Sequence, residues 1–259
     1  MFRGFLVGLA GGLLTLTVAA QTTTVEYRID SNVQGTKSTA FLLVGKFYSM
    51  IGDNGEIVEF DAEKKMFTLI DPALRIQSQI DAEETRRRVE QLRQQILNDS
   101  NSPSDSFRYF IFKPTFSSEF DAASGKWALQ SHWIDYEIQT VPFTDPTAGM
   151  YYDFCNWMCY LNFRLNPGSS QMLVRLEVNR FLRERQRFAV NVSEALYPRG
   201  KQAFVRPSRA SSSHDLARRL GDVDRRRIEQ AQEFKRTFPQ VPFEEYQRLF
   251  VEKLANERR

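Results

Sequence analysis

Histidine is nearly absent. The 259 residues hold two, His132 and His214, and cysteine is as scarce, with Cys155 and Cys159. Much chemistry goes with them. Zinc sites and serine triads both draw on histidine, and no His-x-x-x-His, Gly-x-Ser-x-Gly, phosphate-cradling glycine loop or calcium-loop pattern occurs. His132 stands beside Trp133 between two expected strands and reads as a sheet-surface residue. No repeat of useful period appears. After the first twenty residues no apolar run approaches the roughly 20 residues of a bilayer span, so no transmembrane segment is expected in the mature chain.

Those first twenty residues carry the clearest signal. Met1-Phe2-Arg3 supplies one positive charge, Gly4 to Val18 is almost wholly apolar, and Val18-Ala19-Ala20 ends in small residues before polar Gln21. This order predicts a secretory signal peptide over residues 1–20, cut after Ala20. No cysteine follows the cut, so no lipid anchor is expected. The mature chain is placed in the periplasm or outside the cell.

Hydrophobic content of 42% with 13% aromatics supports a buried core and excludes global disorder. The net charge of +3 is unevenly spread: from Arg199 onward 15 Lys/Arg face 9 Asp/Glu, a surplus of +6, and the rest carries −3. Interspersed acids make this tail read as a solvated helix face. The arginine runs Arg86-Arg87-Arg88 and Arg225-Arg226-Arg227 sit among similar numbers of acids. From Asp81 to Leu97 four arginines face four carboxylates, which leaves no unscreened basic face for nucleic acid.

The expected fold is α+β, a curved antiparallel sheet wrapped over buried helices. Val25, Tyr27 and Ile29 alternate with polar residues, the period-2 signature of a half-buried strand. Ala40 to Ile51, Ile57 to Phe60, Met66 to Ile70 and the stretch through Leu74, Ile76 and Ile80 follow, joined by tight Asp/Asn/Gly turns. Asp81 caps a first helix, with Glu84 completing a capping-box-like pair. Strands resume at Phe107 to Phe112, Phe116 to Phe120, Lys126 to Ser131 and Trp133 to Val141. Asp145-Pro146 opens a second helix to Leu165. Met150, Tyr151, Phe154, Trp157, Met158, Leu161 and Leu165 share one broad face of it, so it is expected to be central and buried. A third helix covers Ser170 to Glu184, then a short strand Phe188 to Val192. Pro207 to Ser213 reads as a flexible linker, and helices at Asp222 to Arg236 and Phe243 to Glu257 form a C-terminal helical appendage. The domains expected are thus a leader (1–20), an α+β body (21–206) and a linker with charged tail (207–259).

A leader, then a meander carrying Gly45-Lys46-Phe47, Glu59-Phe60-Asp61 and Leu69-Ile70-Asp71, then a helix from Ala82 and more meander, resembles the periplasmic lipoprotein-carrier half-barrel superfamily. The match covers residues 21–141. The resemblance implies an incomplete antiparallel barrel over helices, with an apolar concavity for acyl chains. The large helical block at 146–184 and the tail after Pro207 have no counterpart in it.

Two further groups bear on chemistry. Asp135 and Glu137 point to one face of a strand at roughly 6–7 Å, a spacing two glycosidase carboxylates use, while Ile134, Tyr136 and Ile138 take the other face. The plainer reading leaves both acids in water. Cys155 and Cys159 stand one helical turn apart, with Cα atoms about 6 Å apart and nearly parallel Cα–Cβ bonds, so a disulfide needs local strain. Packed free thiols, a disulfide and a soft-metal site with Met158 all remain open. No cofactor or catalytic residue is assigned. Three functions follow: a non-catalytic exported carrier holding a lipid or other apolar ligand, an envelope protein with a self-filled core that docks a protein partner through its C-terminal helices, and a carboxylate-dependent hydrolase.

Overall fold

Eleven strands build one antiparallel sheet, curved but not closed into a barrel, in the computed structural model of residues 26–52, 55–99, 103–145, 148–166, 172–197, 200–201 and 206–257. Strands β1 (Tyr27–Val33), β2 (Thr36–Leu43), β3 (Lys46–Ile51), β4 (Ile57–Asp61), β5 (Met66–Asp71) and β6 (Ile76–Asp81) form a meander in sequence order. On the other side lie β7 (Ser117–Asp121), β8 (Lys126–Gln130), β9 (Ile134–Pro142) and β10 (Arg187–Leu196). Between the halves, β11 (Ser208–Ala217) pairs with β1 and β10. The leader and its cleavage point after Ala20 lie outside the described residues.

The expected strand Ala40–Ile51 is two strands, β2 and β3, folded back at Val44-Gly45. Gly45 holds φ at +76°, a left-handed conformation that glycine adopts without cost. Phe107–Phe112, expected as a strand, is instead a short helix, α2. Its sequence has no polar alternation: Phe110, Ile111 and Phe112 are all buried. The Ser106 hydroxyl caps it by accepting from the Tyr109 N–H at 3.2 Å. The expected cap of α1 (Ala82–Asn98) forms, with Asp81 Oδ1 accepting from the Glu84 N–H at 2.7 Å.

The inner face of the sheet carries the larger core. Tyr27, Ile29, Leu42, Phe47, Phe60 and Phe67 project into it from β1 to β5, and Tyr136 and Ile138 from β9. Helix α3 (Ala148–Leu165) packs against α1 and against α4 (Val174–Glu184), and it is central, as its apolar girth requires. Phe154 meets Phe47 edge-on at 5.7 Å, and Trp157 lies 5.1 Å from Phe60 and 6.3 Å from Phe67. Tyr152, on nearly the opposite side of α3, is also buried, its hydroxyl donating to the Arg187 carbonyl at 2.6 Å. Of the helix, only Asp153 is exposed.

The segment read as a linker is a strand in the middle of the sheet, which corrects the boundary at residue 206. Along β11 the exposed residues alternate with half-buried ones, and none is fully buried. Ladder hydrogen bonds on both sides, rather than apolar burial, hold it in place, so its composition does not reveal it. The tail is likewise integral. Helix α5 (Asp222–Thr237) covers the outer face, packing Ile228 and Ala231, with Leu220 and Phe238 beside it, on Phe41, Tyr48, Met50, Ile57 and Ile70. The chain then crosses the β6 edge, where Gln77 donates its N–H to Pro239 and accepts from Val241. Helix α6 (Phe243–Glu257) returns Phe243 and Tyr246 to the inner core.

Candidate ligand-binding site

Two places stand out, an open cleft beside α4 and a group of polar side chains on the buried side of that helix. The first is a cleft of about 560 Å³ between α1, the α2–β7 connection, α3 and α4. Val89, Ile111, Phe112, Leu173, Leu176 and Tyr160 give it an apolar floor. Arg93, Lys113, Arg180, Glu90 and Glu177 form its rim. Most of the rim is already paired: Arg180 Nη2 lies 2.5 Å from Glu177 Oε1, and Arg93 donates to the Phe112 carbonyl at 3.1 Å. Lys113 is exposed and makes no ion pair among the described residues.

The second place lies inside. At 100° per residue, Val174, Val178, Asn179 and Leu182 mark the buried face of α4, and Arg175 falls in the middle of that face. Its guanidinium lies 5.5 Å from the centre of the Tyr136 ring, yet Arg175 makes neither a hydrogen bond nor an ion pair among the described residues. The Tyr136 hydroxyl is buried and has no hydrogen-bond partner. Glu194 stands opposite Tyr136 in the β9–β10 register, and its carboxylate is beyond salt-bridge distance of Arg175. Burial, reinforced by Glu194, pushes the Tyr136 phenol well above its ordinary range. Burial does the same to Tyr151 of α3.

His214 of β11 belongs to this interior group. Its Nδ1 is 2.8 Å from the Ser31 hydroxyl and its Nε2 is 3.0 Å from that of Ser212. Burial, with the nearby Arg175 charge, lowers its pKa to about 4, so the ring is neutral near pH 7. The two cysteines are free thiols; the disulfide alternative is not formed. Burial raises Cys155 to about 11 and Cys159 to about 12, and Asn179 Nδ2 approaches Cys159 Sγ at 3.9 Å. Protonated thiols in this setting are packing groups rather than nucleophiles. No cluster of three His, Cys, Asp or Glu side chains that could hold a metal ion occurs among the described residues.

Asp135 and Glu137 line one open cleft of about 410 Å³ together with Glu194 and Arg209, and each is already paired. Asp135 accepts from Lys201 Nζ at 2.7 Å and from the Tyr197 hydroxyl at 3.2 Å, whereas Glu137 pairs with Lys126 at 2.6 Å. Ile134, Tyr136 and Ile138 face the core, as the alternation requires. His132 is exposed in the β8–β9 connection, against Trp133. The arginine runs are tied into their surroundings: Arg86 and Arg88 pair with Glu83 and Glu84, Arg225 with Glu26, and Arg227 donates to the Gly52 carbonyl.

Arg175 and Tyr136 carry the interior site, and neither stands out by motif. Placing Arg175 on the helical wheel of Val174, Val178 and Leu182 locates it on the buried face; Glu194, the acid whose charge acts on it, is visible only in three dimensions. Among the described residues no helix is long and apolar enough to cross a membrane. Neither a protein-family model nor a curated protein sequence matches the chain.

Proposed function

We propose that this is an exported, non-catalytic binding protein that holds a lipid or another apolar ligand. The observation that carries the reading is the cleft between α1, α2 and α4. Its volume of about 560 Å³ falls within the roughly 300–1,000 Å³ of small-molecule sites. Its apolar floor under a charged rim suits a molecule with a hydrocarbon body and a solvated end. The leader ending at Ala20 supports a periplasmic or secreted location. The open, curved antiparallel sheet over helices agrees with the half-barrel pattern read from residues 21–141.

The test is native mass spectrometry of the mature protein purified from its own cell envelope. A lipid adduct that organic extraction removes and added lipid restores is the expected result. A spectrum of bare polypeptide, together with failure of the purified protein to take up lipid from vesicles, would overturn the reading.

A second reading has its own observation. Phe154 and Trp157 pack against Phe47, Phe60 and Phe67 and so fill the inner face of the sheet there. A core filled in this way suits an envelope protein that binds another protein through its outer surface. Bare polypeptide in the same spectra would favour it.

A further inference from the structure

We propose, on the reading that the cleft beside α4 holds a ligand, that its occupant is a long-chain carboxylate whose single negative charge rests at Lys113. Val89, Ile111, Leu173 and Leu176 bring no polar side-chain atom to the floor, so methylene groups that settle there leave water without stranding a donor or acceptor. The rim then decides which amphiphile fits. Arg93, Lys113 and Arg180 stand against Glu90 and Glu177, a surplus of one positive charge. Two of these cations are committed. Arg180 bonds Glu177 through Nε at 2.9 Å and Nη2 at 2.5 Å, and Arg93 lies 3.5 Å from Glu90. Among the described residues Lys113 makes no ion pair, so the surplus is its ammonium. Lys113 also borders a smaller hollow of about 350 Å³ together with Asp105, and no ion pair joins these two.

The backbone holds the root of that side chain in place. The Lys113 N–H donates to the carbonyls of Tyr109 and Phe110 at the end of α2, at 3.1 and 3.2 Å, and Arg93 Nε donates to the Phe112 carbonyl just before it. Tyr160 supplies a second, independent observation. It lines the same cleft, and its hydroxyl makes no hydrogen bond among the described residues. Burial raises the phenol above its ordinary range, so it remains a donor at pH 8. A carboxylate accepts from an ammonium and a phenol alike, and both are unused here. A neutral head gains nothing from Lys113, and a quaternary ammonium meets a like charge. A phosphate monoester carries about 1.5 to 2 negative charges at pH 7, more than the one surplus cation matches. The arginine forks that suit phosphate are already occupied by Glu90, Glu177 and the Phe112 carbonyl.

Calorimetric titration of the full mature chain at pH 8 tests the assignment with four ten-carbon probes: decanoate, decanol, decyl phosphate and decyltrimethylammonium. Decanoate should bind about three- to tenfold more tightly than decanol, and decyltrimethylammonium most weakly. Lys113→Gln should bring decanoate down to the affinity of decanol and leave decanol unchanged. Lys113→Glu, at the same exposed position, should reverse the order and favour decyltrimethylammonium. Tyr160→Phe should weaken decanoate by roughly two- to fivefold. From octanoate to dodecanoate each added methylene should tighten binding about fourfold. Added salt should weaken decanoate but not decanol. Leu176→Gln should weaken both decanoate and decanol, and unchanged affinities in that variant would place the binding elsewhere and overturn the assignment. Decanoate binding no tighter than decanol, or unchanged in both Lys113 variants, would overturn the charged head and leave the cleft as a site for neutral lipid. Tighter binding of decyl phosphate than of decanoate would overturn the carboxylate in favour of a phosphate head. Binding of none of the probes would overturn the binding function itself and this assignment with it.

Discussion

The ammonium of Lys253, in the last turns of α6, lies 2.8 Å from Oδ2 of Asp71, a carboxylate with no solvent exposure at all. The other oxygen of Asp71 accepts the N–H groups of Ala73 and Leu74, each at 2.9 Å, and so shapes the turn after β5. One buried acid therefore holds a hairpin turn and the C-terminal helix together. Removing one partner of such a pair strands the other in a low-dielectric setting. Lys253→Met should accordingly destabilise the protein by about 3 kcal/mol in chemical denaturation. A change below about 1 kcal/mol would show that water replaces the ammonium.

Truncation should be far more damaging. A chain ending at Arg206 loses β11, α5 and α6, and with them both partners' hydrogen bonds to a central strand and the whole cover of Phe41, Tyr48 and Ile70. It is expected to aggregate or to lose its cooperative unfolding transition. Cooperative melting of the truncated chain within about 10 °C of the full-length Tm would contradict the place of β11 in the sheet.

His214 gives the stability a pH dependence of known sign. Its folded pKa, about 4, lies below the ordinary 6.5, so between these values the unfolded chain binds the proton more readily. The contribution is complete above about pH 6.5 and is lost as pH falls through 4. Glu56, whose pKa burial raises, acts in the opposite direction in the acid range, so the measurement is a difference. The stability of the wild type minus that of His214→Asn should fall by up to about 3 kcal/mol from pH 7 to pH 4. A flat difference would mean that the ring is solvated.

The thiols offer a simple count. With Cys155 and Cys159 protonated and packed, the native protein at pH 8 should react with a disulfide reagent only over hours, and the unfolded protein should release two thiols at once. No reactive thiol after unfolding would signify a disulfide.

The elements legible in the sequence are those whose information is local. Tyr27 and Ile29 alternate with polar residues, Asp81 and Glu84 mark a helix start, and the apolar girth of Tyr151 to Leu161 requires a buried helix. The elements that escaped depend on distant partners. Ser208 to Ala217 has the composition of a linker and is a strand only because β1 and β10 flank it. Phe107 to Phe112 has strand-forming residues, yet one serine cap and burial of three successive side chains make it a helix. For the candidate site, the cysteines and the acid pair were visible but do not form reactive groups. The helical wheel of α4 puts Arg175 on the buried face, whereas its neighbours Tyr136 and Glu194 come from β9 and β10 and appear only in three dimensions.

The position of β11 also bears on how the molecule is assembled. Strands β1 to β6 and β7 to β10 are each complete in themselves as the chain is synthesised from its N-terminus, but the strand that joins them comes late. Until it is made, β1 and β10 each present an unpaired row of backbone donors and acceptors, the kind of edge on which other chains assemble. In the finished molecule the ends of the sheet are β6, which residues 239–241 partly cover, and β7. The growing chain therefore exposes two sticky edges that the mature fold conceals, and its vulnerability to misassembly lasts until residues 208–217 are made and paired.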